Sequence, residues 1–149
     1  MSERSDSGLR IRRGKDAYAG LMIIAGLVLT GLAALVHVYI FFLESFAWTS
    51  PRGRATFGTS ESEAEATREL AFNQGFYNLF LAVTVFVGII AFAVGSAPVG
   101  AALVFVGAGS MVAASLVLLL SSPEKRGAAL KQGVVPALGI IALVIGIAV

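Results

Sequence analysis

Apolar residues fall along this chain in four blocks, each too long for a strand and long enough for a helix. The first runs from about Tyr18 to Phe46 and meets no charge before Glu44. The second is apolar from Phe72 to about Val94, the third from Val99 to Leu120, and the fourth from Gly133 to Val149. Helix-ending punctuation separates them. "TSPRGRATFG" brings Pro51 and Gly53, "GSAPVG" is a tight turn, and "SSPEKRGAALKQG" is polar with Pro123 near its start. In "SESEAEATRELAFNQ", Ser60 followed three positions later by Glu63 matches a capping box, and Glu61, Glu63 and Glu65 suit the positive end of a helix. The second helix is therefore expected to start in water and to enter the membrane near Phe72.

Helices are expected over about 18–47, 62–94, 99–120 and 129–149, with Pro136 near the first turn of the last. The first is roughly 40 Å long, beyond the roughly 30 Å of a hydrocarbon core, so it must tilt or protrude. The turn "GSAPVG" is too short for anything but antiparallel neighbours. An even number of spans then puts both termini on one side. The predicted fold is an all-α, antiparallel up-down four-helix bundle in the membrane: residues 1–16 form a basic, disordered tail and 17–149 a single transmembrane domain. In the third helix, "GAGSMVAAS" offers the small pairs Gly109/Ala113 and Ser110/Ala114 for close helix contact.

Composition fixes the solvent as lipid. Hydrophobic residues make up 57% of the chain and charged ones 13%, and the mean hydropathy is +0.87. These values point to a multi-pass cell-membrane protein whose first partner is the bilayer. The stretch Arg10, Arg12, Arg13, Lys15 resembles the start of a signal peptide, but the apolar run behind it is too long and lacks a convincing cleavage site, so it is read as a retained span. Orientation stays open. The tail carries five basic residues (Arg4, Arg10, Arg12, Arg13, Lys15), against three in the first connection (Arg52, Arg54, Arg68) and three in the last (Lys125, Arg126, Lys131). They read as headgroup anchors. Nucleic-acid binding is not expected, because basic and aromatic residues do not interleave on a soluble surface. The chain has no cysteine, which excludes disulfides and thiolate chemistry, and no cofactor is implied.

The candidate chemistry begins in "HVYIFFLESFAW". His37, Phe41, Glu44 and Trp48 follow one another at helical spacing and share a face, with His37 and Glu44 about 10 Å apart along the axis. That separation is too long for the two to ligate one metal ion. An ionisable group at this depth must face protein or water, since lipid exposure costs several kcal/mol. Partners are expected from Asn73, Gln74, Tyr77 and Asn78 at the start of the second helix and from Gln132 at the start of the fourth. The first helix ends where those two begin, so the polar side chains are expected to converge in a pocket below one surface, between the first, second and fourth spans.

"HVYIFFLESFAW", "TSPRGRATFG", "NQGFYNLFLA" and "QGVVPALGIIAL" together resemble the defining segments of a bacterial family of four-span membrane proteins, domain of unknown function 1304. The likeness covers roughly His37 to Leu143. It departs in the charged tail before Lys15 and in a third helix without a tyrosine where an aromatic "AGxYG"-like element is expected. The resemblance implies fold and membrane location and carries no activity.

Three functions fit the pocket. In one, Glu44, Asn73, Asn78 and Gln132 form a hydrogen-bonded clasp between helices and His37 is a satisfied neutral imidazole. In another, a small amphipathic molecule is held, with Phe41, Trp48, Phe76 and Tyr77 as apolar walls and Glu44 and the amides fixing its polar head. His37 and Glu44 would then be candidates for proton-transfer chemistry. In the last, the pair marks a proton or ion path, which needs water between them.

Overall fold

Each apolar block becomes a long helix, because in lipid a backbone can satisfy its own N–H and C=O groups only within the segment. The computed structural model describes residues 3–149. Its elements are α1 (Glu3–Phe46), α2 (Pro51–Phe57), α3 (Glu61–Ala66), α4 (Arg68–Ala93), α5 (Ala97–Ser121), a 3-10 turn at Pro123–Lys125 and α6 (Arg126–Ala148). Four of them, α1, α4, α5 and α6, are long and apolar enough to cross a membrane.

These four form a ring. α1 packs on α4 and α6, and α5 closes the far side against the same two. α4 and α6 lie across one diagonal and α1 and α5 across the other, with little contact. Neighbours are antiparallel: Ser45 of α1 meets Phe72 of α4, whereas Gly31 meets Ile89. Ala19 and Ile23 of α1 lie against Gly146 of α6, so the carboxyl end of the chain and the start of the first span share one end of the bundle.

The core is built from small side chains, with Ala33, Ala34, Ala82, Val85, Ala108 and Met111 buried together. Large apolar residues such as Leu21, Ile24, Ile90, Val117 and Leu120 point outward instead, as expected where the solvent is hydrocarbon. Close backbone approach holds the ring shut. A Cβ added to Gly26 would stand 2.7 Å from the Leu143 backbone nitrogen.

At the far end from the candidate site, the α4–α5 turn is a Schellman motif. Gly95 takes φ 94°, Ser96 N–H donates to Ala91 O at 2.9 Å and Gly95 N–H to Phe92 O at 3.3 Å, which satisfies carbonyls that the helix end leaves free. Pro98 follows in the first turn of α5, where its missing donor is harmless.

Several expectations differ from the structure. The boundary placed at residue 16 is not a helix boundary: α1 runs unbroken from Glu3, with nothing between Arg10 and Tyr18 to stop it, and residues 1–2 lie outside the described part. The second helix divides at Thr67 into α3 and α4. α6 starts at Arg126, so Pro136 is an interior residue, where it leaves the Gln132 carbonyl without its usual donor. In α5 the inward small residues are Gly100, Gly107, Ala108 and Ser115. Ser110, Ala113 and Ala114 are exposed, and a Cβ on Gly109 would meet nothing within 4 Å.

Candidate functional site

The polar end of the bundle is capped by the segment from Ala47 to Thr67, and its sequence explains its shape. Ser50 starts α2 by accepting a hydrogen bond from Gly53 N–H at 3.1 Å, while its own hydroxyl donates to Ala47 O at 2.6 Å. Pro51 occupies the first turn, and Gly53 is buried against the Ala47 and Trp48 carbonyls, where a side chain could not fit. Gly58, at φ 68°, ends α2 in the left-handed conformation. α3 begins with the expected capping box: Glu63 N–H donates to the Ser60 hydroxyl at 3.3 Å and Ser60 N–H to the Glu63 carboxylate at 2.9 Å. The Ser60 N–H and then the Ser60 hydroxyl, which donates to the Glu63 carboxylate at 2.7 Å, hold the exposed Glu63 carboxyl below its ordinary value, with Lys125 assisting.

Trp48 ties this cap to the bundle. Its indole N–H donates to the Thr67 hydroxyl at 3.1 Å, and its ring packs on Phe57 at 5.0 Å between centroids. The Thr67 hydroxyl in turn donates to Glu63 O at 2.6 Å. This back-bonding, in a residue at φ −107°, marks the break between α3 and α4. Arg54 of α2 pairs with Glu61 of α3 at 2.8 Å.

Two grooves open beneath the cap, and Glu44 lines both. One, of about 680 Å³, lies between the end of α1 and the start of α4 and is walled by Phe46, Trp48 and Phe72, with Ser45, Thr49, Arg68, Glu69 and Asn73. The other, of about 780 Å³, runs under α3 past Trp48, Asn73, Gln74 and Tyr77 to Glu124 and Lys125. Glu44 is half-buried, and its Oε2 accepts one hydrogen bond from Asn78 Nδ2 at 2.8 Å. Asn78 also reaches its own helix at the Gln74 carbonyl, 3.3 Å away. α4 can approach this closely because Gly75 lies against the Phe41 carbonyl and the Ser45 side chain. The Ser45 hydroxyl donates to Phe72 O at 3.2 Å.

The structure gathers Glu44, Trp48, Asn73, Gln74 and Tyr77 around these grooves, with Asn78 bound to Glu44 behind them. Phe41 stands one turn deeper, edge-on to Phe76 at 5.1 Å and to Phe46 at 5.4 Å. His37 and Gln132 are not with them. His37 is 3% exposed, lines neither groove and bonds within its own helix, Nδ1 to Ala33 O at 2.9 Å. A carbonyl only accepts, so Nδ1 carries the hydrogen. Gln132 lines a separate cavity of about 430 Å³ between α1, α2 and α6, beside Tyr39, Leu43 and Lys131. The expected convergence of the first, second and fourth spans fails there because α4 and α6 sit across the diagonal of the ring.

Sequence reasoning passed over Ser45, Thr49, Thr67, Arg68 and Glu69. In the sequence Arg68 reads only as a headgroup anchor, and its place directly before "ELAFNQ" is the available signal for its position beside the groove. The grooves offer a carboxylate, amides and hydroxyls beside aromatic rings at the end of the bundle where α1 stops and α4 begins. Such a setting suits recognition of a molecule with a polar head and an apolar body.

Neither a curated protein nor a solved structure matches the chain. A family model described as "Protein of unknown function (DUF1304)" matches residues 31–144, from within α1 almost to the end of α6.

Proposed function

Since the chain belongs to the family of unknown function 1304, whose description assigns no activity, we propose from the site itself that it is a multi-pass cell-membrane protein that holds a small amphipathic or lipid-like molecule at the polar end of its bundle. One observation carries this reading: Glu44 is half-buried between two grooves, yet among the described residues its carboxylate receives a single hydrogen bond, from Asn78. A carboxylate drawn out of bulk water without full compensation favours a ligand that completes its partners. The apolar part of that ligand runs along Phe46, Trp48 and Phe72, and its head meets Glu44 and Asn73.

A purely structural clasp is the competing reading, and the same Glu44–Asn78 bond across α1 and α4 favours it, together with Ser115 Oγ donating to Ala129 O at 2.7 Å between α5 and α6. Glu44→Gln separates the two, because an amide oxygen still accepts from Asn78 while the charge is gone. Native mass spectrometry of protein extracted in mild detergent is expected to show a small molecule retained by the wild type and reduced severalfold in Glu44→Gln, at unchanged thermal stability. Equal retention in both proteins, or none in either, leaves the clasp.

A further inference from the structure

We infer that the groove between the end of α1 and the start of α4 takes an ammonium head carried on an apolar tail. Glu44 and Glu69 supply its counter-charges and the rings of Phe46, Trp48 and Phe72 its walls. This rests on the binding reading and names the ligand class for it.

Three classes of head were open. An anionic head would face two carboxylates with Arg68 alone in its favour, and Arg68 already leans toward Glu65 at 3.9 Å. A neutral head could bond to Ser45, Thr49 and Asn73 but would bring no charge opposite to those of Glu44 and Glu69 into a groove that both line. No Lys or Arg of the described residues stands within 4 Å of the Glu44 carboxylate. Its Oε2 is engaged by Asn78, so Oε1 is left to face an incoming donor. An ammonium group satisfies that oxygen, is drawn by Glu69 at the groove's rim, and gains from aromatic faces that attract cations. The groove's volume of about 680 Å³ is ample for such a head and the first part of its chain. Two sources carry this chemistry: the headgroup of an aminophospholipid and a free amphipathic amine.

Trp48 lines the groove and is the only tryptophan in the chain, so its fluorescence reports occupancy directly. The full chain in maltoside micelles is titrated with dodecylamine, dodecanol and dodecyl phosphate, three probes with one tail and different heads. The expected result is a saturable change with dodecylamine at a concentration about tenfold or more below that needed for the other two. Glu44→Gln should erase that preference and leave the weak dodecanol response intact. Glu69→Gln, at an exposed position in the first turn of α4, should reduce it in the folded protein. If dodecanol or dodecyl phosphate binds as tightly as dodecylamine, the ammonium assignment is overturned and the binding reading stands. If no probe gives a saturable change in the folded protein, both are overturned. Repeating the titration in nanodiscs with and without phosphatidylethanolamine names the source: competition by that lipid identifies a membrane headgroup, and its absence a free amine, with the head chemistry upheld in either case.

Discussion

Ser60 and Glu63 hold each other at the start of α3, and the arrangement makes a pH prediction outside the membrane. The Glu63 carboxyl titrates below its ordinary value because its ionised form accepts from Ser60 N–H, then from the Ser60 hydroxyl, with Lys125 adding attraction. A depressed value means that the cap is fully favourable above the ordinary carboxylate range and is lost as pH falls through the folded value. Ser60→Ala removes the hydroxyl and leaves the backbone donor, so the Glu63 titration followed by NMR should move part of the way back up. An unchanged titration would show that the capping hydroxyl contributes nothing.

At the same scale, the sequence displayed a His and a Glu stranded in apolar surroundings, and the spacing of His37, Phe41 and Glu44 put them on one helical face. It could not show that the face divides. Glu44 reaches the grooves beneath the cap, while two turns back along α1 His37 finds its acceptor in its own backbone. Whether a polar side chain bonds to its own helix or to a neighbour depends on which helix lies opposite, and spacing along one helix does not contain that information. Gln132 was misplaced for the same reason.

For the helices themselves, existence and order were legible from the apolar blocks, the Ser60 capping box and the "GSAPVG" turn. Rotational phase was not. Gly107 and Gly109 are two residues apart and look equivalent in "GAGSMVAAS", yet two residues are about 200° around a helix. A Cβ on Gly107 would stand 2.7 Å from the Val85 Cγ2 and 3.1 Å from the Leu81 carbonyl, whereas one on Gly109 meets open space. Gly107→Ala is therefore expected to lower stability in detergent by about 1–3 kcal/mol. Gly109→Ala should be neutral or raise it by up to about 1 kcal/mol, through helix propensity alone. Denaturant unfolding of the two variants checks this, and equal effects would contradict the packing of α5 on α4. The break at Thr67 was likewise hidden, because it depends on a hydroxyl shared between the Trp48 indole and the Glu63 carbonyl, and Trp48 is distant in sequence.

Across the whole molecule, the polar connections between helices lie at one end, and the charged start of α1 (Arg10, Arg12, Arg13, Lys15) lies at the other. The cap from Ala47 to Thr67 and the turn at Pro123–Lys125 share the first end, while the α4–α5 turn at Gly95 and the close of α6 lie at the second. In a chain without cysteine, Ser62→Cys and Ser96→Cys each provide a single label site. The two are expected to react with impermeant maleimide from opposite faces of the membrane, and a cysteine appended after Val149 should behave like Ser96→Cys. Reaction of Ser62→Cys and Ser96→Cys from the same face would dismantle the four-span arrangement.

Ring order also sets a timetable. α1 precedes α6 in the chain, so the face of α1 that Gly26 and Thr30 offer to Leu143 and Gly139 stays open to lipid until α6 docks. Thr30 is fully buried in the finished bundle, but its hydroxyl donates to the Gly26 carbonyl at 2.9 Å on its own helix. It thus needs no partner from α6 while it waits. On the two seams that α6 closes, Thr30 is thus satisfied in advance by its own helix, whereas Ser115 of α5 gains its acceptor, the Ala129 carbonyl, only when α6 docks.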